Sequence, residues 1–157
     1  MLEVNSVSKK FGDFQAVKDV SFKANVGEVL GFLGPNGAGK STTMKMITGF
    51  LDLSEGDASI CGKSIQTDTL GAQRNLGYVP ENAPLYEEMY VREFLEFVAK
   101  IREVDEDKIS DRISKVIKMC ALEAVEFQKL ETLSKGYKRR VSLAQALVHD
   151  PKVLILD

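Results

Sequence analysis

The feature of this sequence that most constrains its fold is a glycine-rich loop at residues 34–42. The loop satisfies the pattern Gly-x-x-x-x-Gly-Lys-Ser/Thr, which is the phosphate-binding loop known as Walker A. Its residues are Gly34, Pro35, Asn36, Gly37, Ala38, Gly39, Lys40, Ser41 and Thr42. A short apolar stretch of strand type, residues 28–33, precedes the loop, and helical spacing follows it from Ser41 to Phe50. The order strand, glycine loop, helix predicts an α/β fold.

The chemistry of this loop predicts a nucleoside triphosphate and a magnesium ion as ligands. Glycines let backbone N–H groups turn toward a polyphosphate, and the following helix contributes a partial positive charge at its N-terminus. We expect Lys40 to contact the β- and γ-phosphates and the Ser41 hydroxyl to bind Mg²⁺. An ordinary glycine turn is the alternative, and the flanking strand and helix patterns disfavour it.

Composition and charge restrict the class of protein. The chain has 157 residues, of which 44% are hydrophobic, and this suits one globular domain. The net charge of −2 gives no broad basic field, so we expect no nucleic-acid partner. No apolar run approaches the roughly 20 residues of a membrane span, and the N-terminus lacks a signal pattern, so we expect a soluble cytosolic chain. Cys61 and Cys120 are isolated, which predicts small reduced core residues.

The amino-terminal third has the texture of β-strands. Near-alternating apolar residues predict strands at 2–7 and 16–22, joined by a hairpin loop at 9–14. Phe11 and Phe14 lie in that polar loop, where each ring either packs beneath the sheet or is available to a base. Composition alone favours core packing for both.

The remaining chain alternates between strands and amphipathic helices. Strands are predicted at 57–62 and 76–80, and apolar residues at helical spacing predict two helices from about Val91 and Ile109. We therefore expect a helical insert from about 82 to 130 between two parts of an α/β core.

A third helix and a final strand close the sequence. Ser134 is well suited to cap the third helix, which Pro151 ends. The apolar run 153–156 predicts a parallel strand buried on both faces, and Asp157 follows it. This is the Walker B pattern, in which the carboxylate holds Mg²⁺ through water.

With four motifs in the right order, the chain resembles the ATP-binding subunit of ABC transporters over nearly its whole length. The motifs are Walker A, the Q-loop at 78–81, the signature sequence at 133–137 and Walker B at 153–157. The resemblance implies an ABC-type P-loop NTPase with an N-terminal antiparallel β subdomain and a helical insert, the C-terminal part of the core being missing. It also implies that the Phe11 ring stacks on adenine and that Val17 lines the same pocket. For Phe11 this replaces the core packing that composition alone favours.

Within one partial domain, 1–157, the resemblance implies three parts. They are a β subdomain with the phosphate-loop core at 1–81, a helical subdomain at 82–133, and the signature helix with the Walker B strand at 134–157. The implied ligands are ATP and Mg²⁺, and the implied catalytic residues are Lys40, Glu81 and Asp157.

The Q-loop and the signature depart from the family pattern. Glu81 stands where most members have Gln, and a carboxylate still binds Mg²⁺ but donates no hydrogen bond. In the signature, Lys135 and Tyr137 replace a Gly and a Gln, while Ser134 and Gly136 remain. The resemblance implies that this loop faces the γ-phosphate of a second subunit in a sandwich homodimer. Lys135 either contacts that phosphate or is merely exposed, and the variants favour an export-type transporter.

The resemblance also implies a membrane partner. The segment 82–90 stands where the family docks a transmembrane permease, and it contains the apolar residues Leu85, Tyr86, Met89 and Tyr90. Local packing is the alternative role of this cluster. A permease partner places the protein peripherally on the cytoplasmic face of the cell membrane.

The end of the chain sets a further expectation. In the family, Walker B continues into a glutamate that polarises water, and a switch histidine follows on a later strand. His149 precedes Walker B, so a surface or capping role is expected for it. We therefore expect an ABC ATPase truncated at Walker B, which binds Mg-ATP but hydrolyses little of it alone. The alternatives are a soluble ABC ATPase of DNA repair or translation and a non-catalytic ATP-binding fragment.

Overall fold

A computed structural model of the chain describes residues 1–81 and 84–157. Asn82 and Ala83, at the start of the expected helical insert and permease-docking segment, lie outside the described residues. The described chain divides into two compact units. The first comprises Met1–Leu76 together with Asp157, and the second comprises Gly77–Leu156.

The first unit contains an antiparallel sheet of four strands in the order β2-β1-β3-β4, which confirms the predicted antiparallel β subdomain. The strands are β1 (Leu2–Phe11), β2 (Phe14–Ala24), β3 (Glu55–Ile60) and β4 (Lys63–Ser64). The hairpin predicted between the first two strands is present, with its loop shortened to Gly12 and Asp13. Gly12 adopts a left-handed φ of 57°, which a two-residue turn requires and glycine permits.

Two helices complete the first unit. The helix that follows the glycine loop, α1, is Lys40–Ile47, and a short helix, α2, is Thr69–Arg74. Met46 and Ile47 of α1 are fully buried, as are Val7 and Ile60 of the sheet. The apolar alternation of the strands and the helical spacing after the loop thus form the core of this unit.

Three expectations for the first unit are wrong. The segment 28–33 forms no strand, and Val29 and Leu33 are more than nine-tenths exposed. A strand needs a neighbour for its backbone N–H and C=O groups, and among the described residues no strand pairs with this segment. Cys61 is exposed instead of buried, because it lies in the tight turn between β3 and β4 with a left-handed φ of 52°.

The third wrong expectation is the core packing that composition alone favoured for the two aromatic rings near the hairpin, which the resemblance had already overruled for Phe11. Phe11 is 49% exposed and Phe14 is 68% exposed. The two residues pair with each other directly beside the turn, so they lie at the end of the sheet, beyond its buried centre.

The second unit is mainly helical and confirms the predicted helices. It contains α3 (Val91–Ile101), α4 (Glu106–Met119), a 3₁₀ turn at Leu130–Thr132 and α5 (Lys135–Leu147). The periodic apolar residues of α3, α4 and α5 share one buried cluster, in which Phe94, Val116 and Val141 are at most 1% exposed. Cys120, at the end of α4, is buried as expected.

Two short strands, β5 (Leu76–Val79) and β6 (Val153–Leu156), pair in a small sheet. The predicted Walker B strand is therefore present, but its expected burial on both faces is wrong. Ile155 is buried, whereas Leu154 and Leu156 are 40% and 61% exposed. Within residues 1–81 and 84–157, β6 has β5 as its one strand neighbour, so alternate side chains remain uncovered.

None of the helices in the described part of the chain combines the length and apolar character needed to cross a bilayer.

Candidate functional site

The glycine loop bends sharply into α1 and packs against β2. Gly39 caps α1 with a left-handed φ of 85°, and Gly37 has a φ of 82°. A Cβ atom at Gly39 would lie 2.6 Å from the carbonyl oxygen of Ala16 and 3.0 Å from Cγ2 of Val17. Since real Cβ atoms do not approach backbone oxygen so closely, only glycine fits between the loop and this strand. The structure thus brings Gly39 and Val17 together.

Lys40 folds over the loop from which it emerges. Its Nζ donates to the carbonyl oxygens of Gly34 and Pro35, both at 2.7 Å. An ammonium group has three N–H donors, so one remains for an anion bound in the loop. Residues 34–38 are exposed, and the backbone of this segment is therefore accessible to a ligand.

The Walker A and Walker B residues meet in the first unit. The Ser41 hydroxyl donates to Oδ1 of Asp157 over 3.1 Å, although 116 positions separate the two residues. A hydroxyl and a carboxylate are hard oxygen ligands of the kind that Mg²⁺ binds. Within the part of the chain that the structure describes, no group of three or more His, Cys, Asp or Glu side chains could hold a metal.

Ser41 and Asp157 are too few ligands for a metal held entirely by protein side chains, but they are enough for Mg²⁺. Mg²⁺ usually takes one or two protein oxygens and keeps its other positions for phosphate oxygens and water. Ser41 and Asp157 supply two such oxygens at the start of α1, beside Lys40 and the loop amides. The residues present therefore fit both the metal ion and the phosphate groups of a Mg-nucleotide.

An accessible aromatic ring lies at the end of β1. Half of Phe11 is exposed, and the ammonium of Lys9 lies 5.3 Å from the centroid of its ring. Lys9 also donates to the carbonyl oxygen of Asp52 at 2.6 Å, which fixes the position of the ammonium. Val17, which the resemblance places in the same pocket, is 5% exposed.

Three of the predicted site residues belong to the second unit. Glu81 is exposed just after β5. The Ser134 hydroxyl accepts a hydrogen bond from the backbone N–H of Tyr137 at 3.4 Å and caps α5, as predicted for this residue. Around Gly136 there is open space, because an added Cβ would approach only the Ser134 oxygen, at 3.8 Å. Lys135 is exposed beside them.

The apolar cluster of the predicted docking segment divides into two pairs. Leu85 and Met89 are half-buried and pack against the helical core, so local packing accounts for them. Tyr86 is 60% exposed and Tyr90 is 47% exposed. The Tyr86 ring meets the ring of Phe97 edge-on at 5.4 Å, which holds it in place at the surface.

Sequence reasoning missed two contacts of the site. The carbonyl of Ala16 has no sequence signal, because every residue carries the same group. The contact of Lys9 with Phe11 has a weak sequence signal. Residues two apart on a strand face the same side, and Lys9 stands two positions before Phe11.

Comparison with known proteins identifies the family. A family model described as ABC transporter matches residues 17–157. The chain belongs to the ABC transporter family. A solved structure described as the ATP-binding subunit of an ABC transporter is similar to 99% of this chain, with a TM-score of 0.90 and 31% sequence identity, and the chain covers 65% of it. This similarity confirms the predicted fold class of the ABC ATPase.

Related ABC sequences show how much of a protein this chain represents. The chain is 40% identical to the uncharacterized ABC transporter ATP-binding protein YhcH of Bacillus subtilis. The match covers 100% of this chain and 50% of YhcH. It is 34% identical to the spermidine/putrescine import ATP-binding protein PotA of Clostridium novyi, of which it covers 45%. The chain spans about half the length of these curated relatives.

Proposed function

We propose that the chain binds Mg-ATP at the loop of residues 34–42, as the ATP-binding part of an ABC transporter subunit. The observation that carries this proposal is the hydrogen bond from Ser41 to Asp157, which joins the two nucleotide motifs beside Lys40. Family membership supports ATP as the nucleotide and Mg²⁺ as its usual metal.

In this proposal, each site residue has a distinct role. Lys40 and the backbone N–H groups of 34–42 hold the β- and γ-phosphates, and the Phe11 ring and Val17 hold adenine. Ser41 and Asp157 bind the metal, with Glu81 as a further carboxylate ligand. When bound, Mg²⁺ neutralises charge on the phosphate oxygens. The low exposure of Val17 supports a place in the wall of the proposed adenine pocket rather than at its rim.

We further propose that the whole protein hydrolyses ATP to drive a membrane permease at the cytoplasmic face of the cell membrane. Two subunits would form a sandwich, in which Ser134 and Gly136 of one subunit face the nucleotide of the other. The open space at Gly136 and the capped N-terminus of α5 support this role, because helix N-termini favour anions. In this organisation, 82–133 is the helical subdomain and 134–157 carries the signature helix.

The exposed tyrosines Tyr86 and Tyr90 are the proposed contact with the permease, with Leu85 and Met89 supporting them from the core. Affinity purification of the tagged full chain from membranes tests this contact. We expect the Tyr86→Asp, Tyr90→Asp double variant to lose an integral membrane permease that the wild type retains. Phe127→Asp is the matched control, since Phe127 is a 71% exposed aromatic residue of the same unit. Recovery of nucleic acid or ribosomes instead would favour a soluble ABC ATPase.

We propose export as the direction of transport, because Lys135 and Tyr137 in the signature are like those of export-type members. Import is the second candidate, since PotA, a relative, is named for import. ATP-driven uptake of substrate into inverted membrane vesicles would support export. ATP-driven loss of substrate from the same vesicles would support import.

A further inference from the structure

A lysine of β1 lies over the aromatic ring at the end of the same strand. The Nζ atom of Lys9 is 5.3 Å from the centroid of the Phe11 ring. A cation at this distance over a ring is attracted by the negative charge of its π-system. Because the ammonium lies over the ring and Phe11 is still half exposed, the exposed part of the ring is available to a flat ligand.

A hydrogen bond holds the ammonium in this position. The Nζ atom of Lys9 donates to the carbonyl oxygen of Asp52 at 2.6 Å. The segment that carries this acceptor is bound to β1 through Ser54, whose backbone N–H donates to the carbonyl oxygen of Ser8 at 2.9 Å. The Ser54 hydroxyl in turn accepts from the backbone N–H of Lys10 at 3.0 Å. A lysine side chain is otherwise flexible, so this anchored acceptor favours the rotamer that places the charge over the ring.

Lys9 also neighbours the second residue proposed to line the adenine pocket. In the register of β1 and β2, Lys9 stands opposite Val17. Opposite residues of an antiparallel pair face the same side of the sheet, as do residues two apart on one strand. Lys9, Phe11 and Val17 therefore share one face of the sheet, within the compact unit that also contains the glycine loop.

We propose that Lys9 is a positioning residue for base stacking, which holds the Phe11 ring in the orientation that receives adenine. This inference rests on the proposed function of Phe11 as the residue that stacks on the base. The contact exists before a nucleotide binds, so binding does not have to order the ring. Lys9 acts through the ring, and it should therefore contribute to the affinity for ATP but not to the affinity for inorganic triphosphate, which has no base.

Lys9→Met tests this role, because it removes the charge and keeps a long unbranched side chain. Aromatic side chains have three staggered χ1 rotamers, so an unrestrained ring would hold the stacking rotamer in roughly a third of the molecules. Apparent affinity falls with the fraction of molecules that are competent to bind, so we expect ATP affinity to fall about threefold. Affinity for triphosphate should stay unchanged. Titration calorimetry of the purified full chain with ATP and with triphosphate, both in Mg²⁺, measures the two values.

Lys10→Met is the matched control. Lys10 is the next residue of β1, carries the same charge and lies 3.3 Å from the carboxylate of Glu55. Its loss changes the net charge equally, and we expect ATP affinity to stay at the wild-type value. Lys9→Arg keeps a cation for the ring and a donor for the Asp52 carbonyl, so it should also bind ATP as the wild type does.

A double variant shows whether the effect passes through the ring. In a Phe11→Ala background there is no ring to hold, so adding Lys9→Met should cause no further loss of ATP affinity. A further loss as large as that in the wild-type background would show that Lys9 acts on the nucleotide directly, and it would overturn the positioning role.

The remaining outcomes separate this inference from the function on which it rests. If the wild type binds ATP more tightly than triphosphate, and Phe11→Ala loses this gain while Lys9→Met keeps it, the role of Lys9 is overturned and the proposed function stands. Equal losses for ATP and triphosphate in Lys9→Met, or an equal loss of ATP affinity in Lys10→Met or Lys9→Arg, would also overturn it. A wild type that binds ATP and triphosphate equally would overturn the stacking role of Phe11 and this inference with it.

Discussion

The Ser41 hydroxyl donates a 3.1 Å hydrogen bond to the Asp157 carboxylate, and this contact joins the first turn of α1 to the residue after β6. Both residues are exposed, so the pair is open to a ligand. A bound Mg²⁺ would replace the shared proton as the partner of both oxygens. The pair thus has the composition of a metal site before any metal is bound.

Replacing Asp157 by Asn should separate metal binding from phosphate binding. The amide keeps the shape and an acceptor oxygen but loses the negative charge that attracts Mg²⁺. We expect ADP affinity with Mg²⁺ to fall by at least about tenfold, and affinity in EDTA to stay the same. Titration calorimetry measures both. Asp52→Asn, at an exposed aspartate of the same unit, is the control and should change neither value. An equal loss in EDTA would show that the carboxylate does not act through the metal.

Gly39→Ala should destabilise the first unit more than Gly12→Ala. Both glycines have left-handed φ angles, which cost an alanine about 1 kcal/mol. At Gly12 a Cβ meets nothing within 4 Å, whereas at Gly39 it meets the Ala16 carbonyl at 2.6 Å. The added overlap brings the expected cost at Gly39 to about 3 kcal/mol. Urea unfolding measures the difference, and equal losses in the two variants would contradict the close packing of the loop on β2.

Phe11→Ala should weaken ATP binding without weakening the fold. The ring is half exposed, so its removal uncovers no core, and stacking of a base on an aromatic ring contributes about 1–3 kcal/mol. We expect ATP affinity to fall about tenfold, while affinity for inorganic triphosphate stays unchanged. Phe14→Ala, which removes the more exposed ring of the same hairpin, is the control and should bind ATP normally. An equal loss of affinity for triphosphate would argue against stacking on adenine.

The NH1 atom of Arg112 lies 3.0 Å from Oδ1 of Asp150. This ion pair should make the free energy of unfolding depend on pH. Burial tends to raise the pKa of Asp150, but the charges of Arg112 and Lys152 outweigh it, so the pKa lies below its ordinary value of 3.8. A carboxyl with a lowered pKa in the folded state stabilises that state above its unfolded pKa, and the contribution is lost as the pH falls through the folded value. We therefore expect the free energies of unfolding of wild type and Asp150→Asn to differ at pH 6 and to converge as the pH falls through the lowered pKa of Asp150.

Thermal unfolding across this pH range measures the convergence. A constant offset between Asp150→Asn and the wild type would show that the ion pair does not contribute through its charge.

Local sequence patterns predicted most of the secondary structure. The helices from Val91 and Glu106 and the cap at Ser134 follow from spacing and capping chemistry within one segment. The meeting of Ser41 with Asp157 came from motif knowledge, because no local pattern links residues so far apart. The structure adds the direct contact, a 3.1 Å hydrogen bond between the two side chains.

The failed predictions concern burial that depends on distant neighbours. Val29 and Leu33 have strand-like composition, yet a strand forms only where another strand supplies its hydrogen-bond partners. Leu154 and Leu156 belong to a strand that did form, but their exposure depends on what covers its faces. The hydrogen bonds of Arg112 were invisible in the sequence, since its partners are the backbone carbonyls of Leu147 and Val148 at the end of another helix.

The most direct test of the account is the binding of ATP with Mg²⁺ to the purified chain, measured by titration calorimetry in the wild type and in Lys40→Ala. We predict one nucleotide per wild-type chain and a loss of affinity of at least about tenfold in Lys40→Ala, because a charge-assisted contact to phosphate is removed. Lys45→Ala, at an exposed lysine farther along α1, should bind as the wild type does. Equal binding by wild type and Lys40→Ala, or none by the wild type, would contradict the account.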